Sequence, residues 1–305
     1  MSGYMKGTRK PKNAPGYYGV NIAGRFVPTE VVMVSMMSAI YLLFLVGGSI
    51  EKSLDAILLK VLSFVMFAFF ALMFRSKLKR MKMFSGVADA FVGLSALPVL
   101  LDLLPMLGLF NVLQLHGQFQ YVLTGLAFAI LSFALLVSIL YLEKEKLSSL
   151  YIGVKNTATG LATGAAGLVS GLVISLAAIF MTVQGAVASP SGVIVMVVYL
   201  LIFSLTFAVA VEAWFRGLLL SKLLPILEKD KALIVQAVIF GFFEAMFAYM
   251  LTSQLLMIPV VLITCAVLGH YWGNLTIKNK SLAGPALFHA GVYMLIALPA
   301  FLTWV

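Results

Sequence analysis

An all-α, polytopic transmembrane helix bundle of about nine spans (eight to nine), with its N-terminus in the cytoplasm, is the fold class this sequence predicts. Three observations predict it. Hydrophobic residues make up 62% of the 305 residues against 10% charged, and mean hydropathy is +1.08, beyond what a water-facing surface tolerates. Apolar stretches of about 20 residues recur along the chain, the length that crosses a hydrocarbon core of about 30 Å at about 1.5 Å per residue. The basic residues gather in the N-terminal arm and in or beside alternate connections. The same composition excludes a secreted disulfide scaffold, a coiled coil, a disordered tail and a nucleic-acid-binding domain. Cys265 is the single cysteine and forms no internal disulfide. In such a chain the net charge of +10 reports topology and contact with anionic headgroups, so membrane lipids are expected partners and nucleic acid is not.

Residues 1–27 are polar and basic and carry Tyr4, Tyr17, Tyr18, Pro11 and Pro15, which suits a cytoplasmic arm near headgroups. The apolar run that follows is too long for a signal-peptide core and lacks a small-x-small cleavage site. Spans are expected at 30–50, 55–74, 87–109, 120–142, 160–183, 192–215, 232–252, 255–277 and 284–305. They divide into N-terminal transmembrane helices, 28–185, and a C-terminal core, 186–305. Only Thr252, Ser253 and Gln254 separate the seventh and eighth spans, as a tight hairpin or as the break in one unit. With the N-terminus inside, every Lys and Arg except Lys52 and Lys60 falls on the cytoplasmic side, and an odd number of spans puts the C-terminus on the opposite side of the plasma membrane. The run Arg75 to Lys82 has the density of an anionic-lipid contact, although a topology anchor explains it more simply.

A charge at the bilayer centre costs about 2.5 to 3.5 kcal/mol, so each ionisable group inside a span is a functional candidate. These are Lys60, Asp89, Asp102, Glu212, Arg216, Glu244, His270 and His289. Lys60 and Asp102 lie at similar depth in the second and third spans and are expected to pair. Asp102 also stands between Pro98 and Pro105, where a kinked helix resembles those of ion-coupled transporters. Asp89 is near enough to the inner end to be solvated. Gly160, Gly164, Gly167 and Gly171 open the fifth span with two GxxxG spacings, which bring another helix close.

The C-terminal core is richer. Glu212 and Arg216 stand four residues apart on one helical face, Phe240 and Glu244 share a face of the seventh span, and His289 and Tyr293 share a face of the last. Three polar clusters in the inner halves of three helices predict one shared cavity open toward the cytoplasm and reachable by water. Two glutamates and His289 also contain the ingredients of a carboxylate–imidazole metal site, but no HExxH spacing occurs; neither a metal nor another cofactor is expected. His270, in Gly269-His270-Tyr271-Trp272-Gly273, reads as an interfacial imidazole among aromatics, and His116 as a solvated loop residue.

Val211-Glu212-Ala213-Trp214-Phe215-Arg216-Gly217, Phe240-Gly241-Phe242-Phe243-Glu244 and Phe288-His289-Ala290-Gly291-Val292-Tyr293, in this order, resemble the CPBP intramembrane protease family, which includes the type II CAAX prenyl endopeptidases. The family signature is EExxxR, FxxxH and HxxxN or HxxxD, each on a separate transmembrane helix. The likeness covers roughly 205–295. It implies site residues at Glu212, Arg216 and His289, with departures: Val211 stands for the first glutamate, Glu244 for the histidine of FxxxH, and Tyr293 for the final asparagine or aspartate. In the family a carboxylate and histidines activate water while neutral donors hold the oxyanion. Valine does neither. With three of the six site positions lost, the resemblance implies a catalytically degenerate member that binds or scaffolds membrane proteins. Its partners would be a membrane protein, a lipidated peptide or a partner subunit. The alternative is an active endopeptidase in which Glu244 substitutes as base beside Glu212 and His289. A third reading, transport of a small ion or lipid through Lys60 and Asp102, lacks the internal repeat it calls for.

Overall fold

Apolar runs of this length can satisfy their peptide groups in lipid only within themselves, and they become helices of 20 to 27 residues. The structure, a computed structural model, describes residues 19–22, 25–50, 54–76, 79–106, 118–152, 157–183 and 190–302. Among the described residues nine helices are long and apolar enough to cross a membrane. They are α1 Thr29–Ile50, α2 Leu54–Ser76, α3 Ser85–Met106, α4 Gln118–Glu143, α5 Thr157–Val183, α6 Pro190–Glu212, α7 Lys229–Thr252, α8 Met257–Asn279 and α9 Ala283–Leu302. The all-α bundle and its integral membrane character stand as expected. A short antiparallel hairpin, β1 Gly19–Ile22 and β2 Arg25–Pro28, leads into α1, with Gly19 opposite Pro28.

The sixth span runs further than its hydrophobicity suggests. After Glu212 the chain passes through a π-helical segment, Ala213–Leu219, and a last α turn, Leu220–Leu223, so the helical run extends to Leu223 instead of ending near 215. The seventh and eighth spans form a tight hairpin. Ser253 takes a left-handed conformation, φ 56°, and its N–H bonds to the Tyr249 carbonyl, closing α7.

Helices α3, α7 and α9 are the innermost, with 67% of each span's most apolar window buried against 28% for α1, α2 and α5. In lipid there is no hydrophobic gain from pairing helices, so contact depends on side-chain fit and small residues. The main packing pairs are α5 with α9, α7 with α8, α2 with α3, α6 with α9 and α4 with α6. Gly160, Gly164, Gly167 and Gly171 all lie on the α5 surface that meets α9, confirming the close-packing role of the GxxxG spacings.

Two charge pairs fasten α2 to α3. Lys60 Nζ lies 2.6 Å from Asp102 Oδ2, the pairing expected from their depth, with Lys60 buried. Arg75 Nη2 donates to Asp89 Oδ2 at 2.6 Å. Asp89 is therefore buried and paired rather than solvated, because a 3-10 turn, Lys79–Phe84, folds the end of α2 back against α3 and brings Arg75 over it. Removing one partner of the first pair strands the other in low dielectric: Lys60→Met is expected to cost about 3 kcal/mol, the low end for a buried pair because Asp102 keeps some exposure, whereas Lys60→Met with Asp102→Asn should recover most of it. Thermal unfolding of the three proteins in detergent checks this. Equal midpoints for the single and double variants would mean that the two groups are not coupled.

Candidate functional site

The four residues singled out by sequence, Glu212, Arg216, Glu244 and His289, come together where α6, α7 and α9 meet. Glu212 closes α6 and Arg216 lies within the π segment. A π turn widens the helix by one residue and is frequent at functional sites. Arg216 Nη1 donates to Glu212 Oε1 at 2.9 Å. The guanidinium lies over the ring of Phe240, Cζ 3.8 Å from the centroid, with Trp272 of α8 at 5.2 Å, so its charge faces π electrons as well as a carboxylate. Gly269 of α8 leaves the room: a Cβ there would stand 2.8 Å from Phe240 Cδ1 and 3.3 Å from Arg216 Nη2.

His289 of α9 sits between the two carboxylates. Its Nδ1 is 2.8 Å from Glu212 Oε1, and its Nε2 faces Glu244 Oε1 at 3.7 Å. Tyr293, one turn on, donates its hydroxyl to the same Glu244 oxygen at 2.6 Å, and its ring stacks on the imidazole at 4.2 Å. The cluster therefore contains two carboxylates, one guanidinium and one imidazole. Its charges cancel when the imidazole carries both protons, each then directed at a carboxylate. Trp272, 4.8 Å from the imidazole, and Phe240, edge-on at 5.3 Å, complete the wall on one side. Phe207 and Phe247, stacked at 4.5 Å, pack against Tyr293 on the other.

Convergence was legible in the spacing, but openness was not. Glu212, Arg216, Glu244, His289 and Tyr293 are all 0% exposed, so the cavity open to cytoplasmic water that the sequence led one to expect is instead a closed polar core. Large aromatic side chains from α6, α7 and α8 fill the space around the cluster. Helical periodicity places groups on a face but does not say how much volume the neighbouring rings occupy.

His270 points outward from α8, away from the cluster, and His116 lies outside the described residues. Val211, at the position of the family's first glutamate, is buried in apolar packing. A metal ion would have to compete for Glu212 Oε1 with a guanidinium and an imidazole already on it, and no group of three His, Cys, Asp or Glu among the described residues has metal-holding geometry. The site also takes in Tyr293 and Trp272, beyond the four residues that the motif pattern marks. For Tyr293 a signal existed, its place four residues after His289. For Trp272 on α8, and for the π segment itself, no periodicity in the sequence marks them.

No curated protein and no solved structure matches the chain. The segment holding every residue of the cluster does match a family: residues 192–295 match the model of the Rce1-like type II CAAX prenyl endopeptidases, so this third of an integral membrane protein is similar to the CAAX proteases.

Proposed function

We propose that this protein is a catalytically degenerate relative of the CAAX endopeptidases that binds a membrane-protein segment or lipidated peptide without cutting it. The supporting observation is that the site's groups bond one another: His289 Nδ1 bonds Glu212, its Nε2 is directed at Glu244 from 3.7 Å, Tyr293 covers one ring face, and the Tyr293 hydroxyl is spent on Glu244. Water attack on a peptide bond calls for a base in reach of the water and neutral donors aimed at the developing oxyanion. Here the position of the first family glutamate is Val211, and the position of the family's oxyanion donor is a tyrosine already donating to an anion. The polar cluster then acts as an internal clamp holding α6, α7 and α9 in the family arrangement, while the outside of that arrangement meets the partner. The basic connections support an N-terminus in the cytoplasm.

A second reading, an active endopeptidase using Glu212 and Glu244, is favoured by one observation: the outer Oε2 oxygens of both carboxylates are buried without a hydrogen-bond partner among the described residues. One assay separates the two. A farnesylated peptide carrying a fluorophore and a quencher is mixed with the purified protein in liposomes. Degenerate binding gives a rise in anisotropy with no gain in fluorescence over the Glu212→Ala variant. Turnover that disappears in Glu212→Ala would overturn the first reading and establish the second.

A further inference from the structure

Helix α8 lies at the edge of the bundle. It packs chiefly on α7, and 33% of its most apolar window is buried against 67% for α7. Its exposed face carries Val260, Ile263, Val267, His270 and Asn274, the three aliphatic side chains 61%, 65% and 66% exposed. The intervals along this face alternate between three and four residues, the spacing that keeps a seam of side chains turned toward a second helix. With 23 residues α8 is about 34 Å long, slightly more than a hydrocarbon core of about 30 Å. His270 stands nine residues before Asn279, about 14 Å from that end, and Asn274 five residues before it, about 8 Å. Both therefore lie within the hydrocarbon, and among the described residues neither side chain has a hydrogen-bond partner. An amide or imidazole turned toward acyl chains without a partner is unfavourable, and polar side chains within spans face protein.

We propose that this face is the interface of a two-fold dimer and is covered by α8 of a second copy of the chain. Copies inserted by the same topology signals stand the same way up, so a two-fold axis along the membrane normal sets α8 parallel to its counterpart and each seam residue opposite itself. The seam is self-complementary under that operation. A carboxamide both donates and accepts, so Asn274 pairs with its own counterpart; a neutral imidazole donates from one nitrogen and accepts at the other, so His270 does the same. Val260, Val267 and Asn274 are spaced by seven and share one heptad position, where β-branched residues favour two parallel strands and a single asparagine fixes their register. A foreign helix would have to supply matching polar groups at the same two depths, whereas the chain supplies them to itself. Lys278, four residues beyond Asn274, flanks the seam at the helix end, where its ammonium reaches the headgroups instead of its counterpart.

The test is single-molecule photobleaching of the full chain, carrying one N-terminal fluorophore, in liposomes over about a hundredfold range of protein-to-lipid ratio. Two-step bleaching should give way to one-step bleaching on dilution. Asn274→Leu should raise the protein fraction at which the dimer dissociates by about tenfold, the worth of an interhelical polar pair, and His270→Leu should raise it severalfold. Both substitutions alter exposed side chains, and unchanged thermal midpoints under dilute, one-step conditions show that the variants are folded. In a Cys265→Ala background, Val267→Cys should oxidise to a covalent dimer, while Leu43→Cys on α1, 73% exposed, should not. A dimer that dissociates alike in the parent and both leucine variants, or that crosslinks through Leu43→Cys and not Val267→Cys, would overturn the proposal. One-step bleaching at every ratio would also overturn it, and a crosslink from Val267→Cys to a different membrane protein in native membranes would then give the face to a foreign helix.

Discussion

Arg216→Met is expected to lower stability by about 3 to 5 kcal/mol, the loss that follows when one partner of a buried ion pair is deleted and the other stays charged in low dielectric. Arg216 and Glu212 are both 0% exposed, and Glu212 Oε1 accepts from Arg216 at 2.9 Å and lies 2.8 Å from His289. Without the guanidinium, two carboxylates face one imidazole, and the cluster cannot be neutral while both are ionised. In a chain of this size the loss corresponds to a fall on the order of 10 °C in thermal midpoint. The compensated variant Glu212→Gln with Arg216→Met restores the balance, one carboxylate to one imidazole, and should unfold closer to the parent than Arg216→Met does. Arg216→Lys keeps the charge but loses the flat contact with Phe240 at 3.8 Å, so it should fall between. Equal midpoints for the single and compensated variants would mean that the pair is not a structural clamp, and the proposed role of the cluster would lose its basis.

The same residues show where sequence reasoning reaches and where it stops. A span is legible because lipid leaves an apolar run of some 20 residues one way to satisfy its backbone, and the pairing of Lys60 with Asp102 is legible because depth follows from rise per residue. Glu212, Arg216, Glu244 and His289 could be brought to one locus from spacing and motif order. The closure of that locus could not, since it depends on Phe207, Phe240, Phe247 and Trp272 arriving from three helices. Nor could the burial of Asp89, since it depends on how a short turn returns Arg75 onto α3. What remained illegible is the joint placement of distant side chains.

The packing of α5 on α9 carries the second large effect, because α9 positions His289 and Tyr293. A Cβ on Gly171 would stand 2.2 Å from the Gly291 carbonyl oxygen, and one on Gly291 would stand 2.2 Å from the Gly167 carbonyl oxygen. Both clashes are with backbone, which cannot rotate away as a side-chain tip can. Gly291→Val is therefore expected to push the two helices apart, costing at least the roughly 1 to 3 kcal/mol typical of overpacking and more because every contact along the interface loosens with it. Gly47→Ala is the control, since its new Cβ would meet Leu59 Cδ1 at 3.7 Å, an ordinary contact, and its midpoint should stay within about 1 °C of the parent. The position of α9 can be followed separately from global stability by cysteines placed at Thr163 of α5 and at Leu287 of α9, which packs over Gly164, joined by a short bifunctional maleimide after Cys265→Ala removes the native thiol. Crosslinking that is efficient in the parent background and falls severalfold in Gly291→Val would show the helices separating. Unchanged crosslinking together with an unchanged midpoint would mean that the α5–α9 contact does not set the position of the polar cluster.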